Sequence, residues 1–135
     1  MGTPEVYGGA RVTTVTERDA VSWRTLLAVV VGGMLGTGLR LVADLLIHQP
    51  LSTLVVNVVG SLVLGYLVAR VWPTASGWLK AGIGPGLLGS FTTFSAIAVI
   101  LANYGPTVEG ALYLAATLVL GLGAAFAGLR LGARR

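Results

Sequence analysis

The sequence predicts an all-α membrane protein with four transmembrane helices. Hydrophobic residues make up 55% of the chain and charged residues only 10%, whereas a soluble domain carries about 25% charged residues. The apolar residues fall into four runs of 20 to 25 residues, which are residues 23–47, 53–72, 78–102 and 108–131. A helix of that length crosses a hydrocarbon core of about 30 Å. Because backbone groups in lipid must be satisfied internally, the runs are predicted to be helices.

The ends of the runs carry residues that belong at a membrane surface. A proline lies in each of the three connections, where it ends or prevents a helix. Interfacial aromatic residues are expected at the same level, and four lie there: Trp23, Trp72, Trp78 and Tyr104. We therefore predict three parts, namely a disordered polar tail over residues 1–22, a membrane domain over residues 23–131, and a basic tail over residues 132–135.

Basic residues are distributed unevenly between the two predicted sides of the membrane. If the chain crosses four times, eight of the nine lysines and arginines lie on the side of the termini, and Arg40 alone lies on the other. The positive-inside rule then places both termini in the cytoplasm, with the chain in the cell membrane. The net charge of +4 accordingly indicates cationic flanks that face anionic lipid, and no nucleic-acid partner is predicted.

The composition excludes several kinds of chemistry. The chain has no cysteine and one histidine, so thiolate sites, disulfides and His-pair metal motifs are ruled out. No nucleophile, base and orienting group can be assembled, and we do not expect an enzyme. No carboxylate lies deep in any run, which disfavours a proton-coupled transporter. A small multidrug exporter would also need an acidic residue inside the first run, where Asp44 lies only near the end.

The third run combines helix-breaking residues with hydroxyl groups at mid-membrane depth. Glycine or proline occupies five positions between residues 82 and 89, and hydroxyl residues follow at Ser90, Thr92, Thr93 and Ser95. This pattern predicts a helix broken near the membrane centre, because glycine permits the turn and the freed backbone groups can act as ligands. Freed carbonyls suit a hard cation such as Na⁺, and freed amides suit an anion. A glycine face for close helix packing is the alternative.

Polar residues in the second and fourth runs repeat with helical spacing. Thr53 and Asn57 are four residues apart and share a face, as do Tyr113 and Thr117. Each pair either bonds neighbouring helices together or lines a polar path, and both interpretations remain open.

The first run contains two further features. Gly32-x-x-x-Gly36 is most simply a packing face. Arg40 and Asp44 are four residues apart, which indicates a paired arginine that extends to the membrane surface.

Together these motifs resemble the CrcB/Fluc family of small fluoride channels over about residues 26–130. The resemblance lies in Gly32-Gly33-x-x-Gly36-x-x-x-Arg40, Thr53-Leu54-x-Val56-Asn57-x-x-Gly60-Ser61, Gly86-Leu-Leu-Gly89-Ser90-Phe91-Thr92-Thr93-Phe94-Ser95, and Tyr113 with Thr117. It implies passive, fluoride-selective export by two chains that insert antiparallel as a dual-topology dimer with two pores. Fluoride is small and strongly hydrated, so amide and hydroxyl donors and the positive edge of an aromatic ring would replace its water. Pore width would exclude larger halides.

The resemblance also implies roles for individual residues. The pore-lining groups would be Asn57, Phe94, Ser95, Tyr113 and Thr117, with Thr53 nearby and Arg40 near the entrance. A structural Na⁺ at the dimer centre would be held by the backbone carbonyls of Gly89 and Thr92.

The chain departs from the family pattern at several positions. The family sequence Thr-Phe-Ser-Thr-Phe-Ser-x-Glu is here Thr93-Phe94-Ser95-Ala96-Ile97-Ala98-Val99-Ile100, and Ser52 replaces a glycine. A homodimer of dual topology also requires nearly balanced loop charges, which this chain lacks. We therefore hypothesise one half of a heterodimer with an oppositely oriented paralogue. A homodimer, and a degenerate subunit that supports a pore in its partner, remain the alternatives.

Overall fold

The structure is a computed structural model that describes residues 22–134, most of which are helical. The helices are α1 (Trp23–Leu46), α2 (Leu51–Arg70), α3 (Gly77–Ala81), a π-helix (Gly82–Leu88), α4 (Gly89–Phe91), α5 (Ser95–Tyr104) and α6 (Val108–Ala133). The four elements between Gly77 and Tyr104 follow one another as a single span, so four helical spans are long and apolar enough to cross a membrane. The prediction of four transmembrane helices is confirmed.

The two predicted tails lie at the edges of the described chain. Residues 1–21 of the predicted polar tail lie outside the described residues. Ser22 is the N-cap of α1, and its hydroxyl accepts a hydrogen bond from the Thr25 N–H. The predicted basic tail begins inside α6, which continues to Ala133.

The spans pack as two pairs, and glycines make each contact close. Gly32 and Gly36 of α1 lie against the backbone of Gly82 and Leu87 in the π-helix, where a Cβ atom on either glycine would collide. In lipid, helices associate through such small-residue contacts because no hydrophobic force drives them together. The predicted packing role of Gly32 and Gly36 is confirmed.

The second pair consists of α2 and α6. Gly65 of α2 meets the backbone of Ala125, while Gly128 and Gly132 of α6 meet the backbone of Leu62 and Tyr66. Each glycine position lacks room for a Cβ atom. The third span, which belongs to the first pair, also contacts α2 and α6 and thereby connects the two pairs.

The interior of the protein is small and partly polar. Among the described residues, the buried hydrophobic side chains are Val56, Leu88 and Ile97, and the buried polar ones are Ser52, Thr53, Thr93 and Thr117. Large apolar side chains point outward instead, as Leu45 and Leu46 do at 75% and 76% exposure. This arrangement fits a protein whose surrounding solvent is lipid, and it concentrates polar groups along the inner face of the spans.

Candidate functional site

The third span is broken at residues 92–94, close to its midpoint. α4 ends at Phe91, Thr92 is extended with ψ of 159°, and α5 begins at Ser95. The glycine-rich segment before the break stays helical and winds as a π-helix. A broken helix and a glycine packing face were the two alternatives for this run, and the structure shows each of them in an adjacent part of it. Gly82 and Gly86 pack against α1, and the hydroxyl residues form the predicted break.

The side chain of Asn57 holds the broken segment through two hydrogen bonds to one residue. Its Nδ2 donates to the Thr93 carbonyl at 2.9 Å, and its Oδ1 accepts from the Thr93 N–H at 2.8 Å. Backbone groups released from a helix in lipid need partners from the protein. Asn57 supplies both for Thr93, and one N–H of its amide is left over.

Thr93 was not among the predicted site residues, although it organises the start of α5. Its hydroxyl oxygen accepts from the Ala96 N–H at 3.1 Å and lies 3.1 Å from the hydroxyl of Ser95. The side chain is only 8% exposed. The signal that could have identified it is the hydroxyl residue before an apolar helical run, which is typical of a helix cap.

These side-chain bonds leave two backbone carbonyls without their helical donors. In a continuous helix the N–H of Thr93 would donate to the Gly89 carbonyl, and that of Ala96 would donate to the Thr92 carbonyl. Both N–H groups are instead bonded to side-chain oxygens. No other backbone donor outside the helices reaches the Gly89 or Thr92 carbonyl within residues 22–134. Gly89 and Thr92, predicted from the resemblance as cation ligands, thus each have a carbonyl oxygen without a backbone hydrogen bond from that part of the chain, and oxygen is the ligand type that a hard cation prefers.

The break opens onto a groove of about 530 Å³ between the two helix pairs. Predicted site residues that line it are Asn57, Phe94, Thr117, Gly89 and Thr92. Phe94 projects outward at 76% exposure, whereas Thr117 is buried at 6%. The Thr117 hydroxyl donates to the Tyr113 carbonyl of its own helix at 2.8 Å. The groove therefore brings an amide, a hydroxyl group and an aromatic ring to one open surface.

The other predicted site residues lie outside this groove. Tyr113 is one helical turn from Thr117, and its hydroxyl donates to the Pro50 carbonyl at 3.3 Å. Ser95 is exposed beside the break. Thr53 is 2% exposed, and its hydroxyl donates to the side-chain carbonyl of Gln49 at 2.7 Å. Tyr113 and Thr117 thus form a polar track from the groove towards the α1–α2 connection. Thr53 is hydrogen-bonded to Gln49 of that connection.

Arg40 lies near the end of α1 within a polar cluster that the motifs did not reveal. Its Nε is 3.8 Å from a carboxylate oxygen of Asp44, which confirms the predicted pair. The Asp44 carboxylate also accepts from the Gln49 amide at 3.0 Å and from the Ser52 hydroxyl. Ser52, which stands in place of a family glycine, is fully buried. The buried hydroxyl that this departure introduces is therefore paired within the same chain, with the Asp44 carboxylate.

Comparisons with known proteins agree with the resemblance. The family described as CrcB-like protein, Camphor Resistance (CrcB), matches residues 27–129. The fluoride-specific ion channel FluC of Xanthomonas axonopodis pv. citri is 38% identical over 125 residues, covering 83% of this chain and 92% of the relative. Fluoride-specific ion channel FluC 2 of Halalkalibacterium halodurans is 36% identical over 118 residues, covering 82% and 87%. The FluC of Rhizobium meliloti is 38% identical over 117 residues, covering 78% and 94%.

Proposed function

Because this chain belongs to the CrcB family, we propose that it is a fluoride-selective ion channel through which fluoride leaves the cytoplasm passively. The observation that carries the proposal is the break at residues 92–94, which Asn57 fixes and which presents Phe94 in a groove lined with hydrogen-bond donors. A regular four-helix bundle has no use for a broken span, whereas a path for a dehydrated ion requires polar groups at mid-membrane depth.

The groove offers donors whose strength suits an anion. Asn57 retains one amide N–H after bonding Thr93. The Thr117 hydroxyl would have to turn from the Tyr113 carbonyl. A neutral hydrogen bond contributes about 0.5–1.5 kcal/mol, whereas one to a charged group contributes about 1.5–3 kcal/mol. Exchanging the hydrogen bond to the Tyr113 carbonyl for one to fluoride is therefore favourable. The edge of the Phe94 ring, which carries partial positive charge, would also attract the anion.

A second chain is needed to close the path. Phe94 is 76% exposed, and a groove open to lipid cannot carry an ion, since lipid offers it no hydrogen bonds. The indole N–H of Trp72, which also lines the groove, is buried and has no hydrogen-bond partner within residues 22–134. Both features support a dimer in which the groove of each chain is covered by the other, and the family resemblance implies that the two chains are antiparallel.

The same dimer would place the freed carbonyls of Gly89 and Thr92 near those of the partner. Two carbonyl oxygens from each chain would then be available as ligands for Na⁺, a hard cation that prefers oxygen. Bound there, the ion would supply positive charge at the centre of the dimer and would hold the two breaks together. Asn57 and the Thr93 hydroxyl would keep the carbonyls available by occupying their helical donors.

We propose that the partner is an oppositely oriented paralogue and that both termini of this chain are cytoplasmic. The charge bias supports this, since Arg40 is the single basic residue on the other side of the membrane. Ile97, which replaces a family phenylalanine, lines the groove at 6% exposure, where it fills space without an aromatic edge. The homodimer is the competing assembly, and a supporting subunit without a pore of its own is the competing function.

The proposed function is tested by fluoride efflux from liposomes that contain the purified chain, alone and co-expressed with an oppositely oriented paralogue. We expect efflux of fluoride and none of chloride, and a strong reduction in Phe94→Ile. Phe126→Ile is the matched control, because Phe126 is also exposed, at 56%, but lies on α6 outside the groove.

Each outcome separates the competing readings. Efflux from the chain alone would establish a homodimer and reject the paralogue. Efflux only with the partner, lost in Phe94→Ile, would support a heterodimer with a pore lined by this chain. Efflux that requires the partner and that Phe94→Ile leaves unchanged would show a supporting subunit, and equal efflux of chloride would reject selectivity.

A further inference from the structure

A second groove lies between the beginnings of α1 and α3 and shares no residue with the groove at the break. Its volume is about 440 Å³, and it is lined by Trp23, Arg24, Leu27, Ala28, Val31 and Trp78. Both helices begin at the same membrane surface, because an even number of crossings separates their N-termini. The fluoride path as proposed above makes no use of these residues.

The groove is an apolar slot, open on one side, that runs inward from the membrane surface. Trp23, Leu27 and Val31 follow at intervals of four residues on α1, so they span about 12 Å along the helix axis at 1.5 Å per residue. That length approaches half of a hydrocarbon core of about 30 Å. Ala28 forms part of the lining, where α1 closely approaches Gly82 of the π-helix. The slot thus has the direction and depth of one acyl chain in one leaflet.

The outer end of the slot carries an available positive charge. The Arg24 guanidinium lies 5.8 Å from the centroid of the Trp23 ring, and its N–H groups make no hydrogen bond within the part of the chain that the structure describes. The ion pair between Arg40 and Asp44 is the one found within residues 22–134, so no carboxylate of that part neutralises Arg24. Trp23 and Trp78 are 66% and 46% exposed at the same level, where interfacial tryptophans meet lipid headgroups.

We infer that this groove binds an anionic phospholipid, with its phosphate on Arg24 and one acyl chain between Leu27, Val31 and Trp78. A soluble anion would leave the apolar slot uncovered, and a lipid without net negative charge would not neutralise the charge of Arg24. Basic pockets at helix ends on one membrane side recognise anionic headgroups through the same combination. One such residue corresponds to about a fivefold preference for anionic over zwitterionic lipid.

Tryptophan quenching by brominated lipids tests the inference directly, because two tryptophans flank the groove. The full chain is reconstituted in phosphatidylcholine vesicles with increasing fractions of brominated phosphatidylglycerol or brominated phosphatidylcholine. We expect half-maximal quenching at about a fivefold lower fraction of the anionic lipid. Arg24→Gln should abolish that preference, and Arg24→Lys should retain most of it. Trp72 lies in the other groove and provides a background common to all variants.

Arg130→Gln is the matched control. Arg130 also lies near the end of a span on the same side, 4.6 Å from the Phe126 ring centroid, but it borders no part of this groove. Its removal should leave the preference unchanged. Equal quenching by both lipids, or a preference that survives Arg24→Gln, would overturn the inference.

Absence of quenching by either lipid would also overturn it, by showing that protein covers the slot. Repeating the measurement after deletion of residues 1–21 would then tell whether the N-terminal segment or a second chain occupies it. The measurement does not depend on fluoride conduction, so its result is independent of the proposed function.

Discussion

The third span is held by two contacts of opposite chemistry. Its first half meets α1 through glycines, at Gly32 and Gly36, with backbone against backbone. Its centre meets α2 through the amide of Asn57 and both backbone groups of Thr93. The first contact depends on shape, because the helix satisfies its own hydrogen bonds. The second depends on hydrogen bonding, because the break does not. Size should therefore matter at one contact and polarity at the other.

The largest effect is expected at the polar contact. Asn57→Leu keeps the number and branching of the side-chain heavy atoms but leaves the N–H and carbonyl of Thr93 unpaired, each at about 1–3 kcal/mol. We expect a loss of about 2–6 kcal/mol in the free energy of unfolding and no fluoride flux. Unfolding in mixed micelles monitored by circular dichroism measures it. Asn103→Leu is the control, since Asn103 is exposed on α5. A stable Asn57→Leu variant would show that the amide does not hold the break.

The glycine contact should respond to a single methyl group. A Cβ atom on Gly36 would collide with the carbonyl of Leu87, whereas one on Gly38 would meet nothing within 4 Å. We expect Gly36→Ala to cost about 1–3 kcal/mol through overpacking and Gly38→Ala to cost nothing. The same unfolding assay compares the two variants. Equal stability of the two would contradict the shape-based contact.

A change within the groove should separate conduction from stability. Thr117→Val replaces the hydroxyl by a methyl group of similar size, and the lost bond to the Tyr113 carbonyl stays within one helix. Loss of a hydrogen bond to the anion, about 1.5 kcal/mol, corresponds to about tenfold slower fluoride efflux. Thr25→Val, at the exposed start of α1, should leave efflux unchanged. If the two variants conduct equally, Thr117 does not line the path.

The smallest effect is expected in the cluster at the α1–α2 connection. Ser52→Gly restores the family residue but removes a hydrogen bond to the Asp44 carboxylate, while Gln49 remains bonded to that carboxylate. We expect a loss of about 1–2 kcal/mol, because water can replace the hydroxyl at the partly exposed Asp44 carboxylate and the backbone entropy of glycine in a helix adds to the cost. Asp44→Asn in the Ser52→Gly background should then cost less than in the original chain. Additive losses would show that the two residues are not coupled.

Sequence reasoning singled out five of the residues that line the groove, but not all of their partners. It predicted the break from the glycines and hydroxyl residues of the third run, and it singled out Asn57 as a polar group that required an explanation. It did not identify Thr93, which lies 36 residues from Asn57 along the chain. It also grouped Thr53 with Asn57 on one helix face, whereas the structure bonds Thr53 to Gln49. Which distant residues pair depends on the orientation of each helix about its own axis, and the sequence does not give that orientation.

The sequence by itself determined the four spans and the glycine packing face of α1, and it indicated that the third span is broken near the membrane centre. These follow from local properties, namely the length of apolar runs, the lack of a side chain on glycine and the cost of unpaired backbone groups in lipid. Only the tertiary structure decided which backbone each glycine meets and which groups Asn57 bonds. It also freed the carbonyls of Gly89 and Thr92, because side chains from α2 and from the break itself took the N–H groups that a continuous helix would have directed at them.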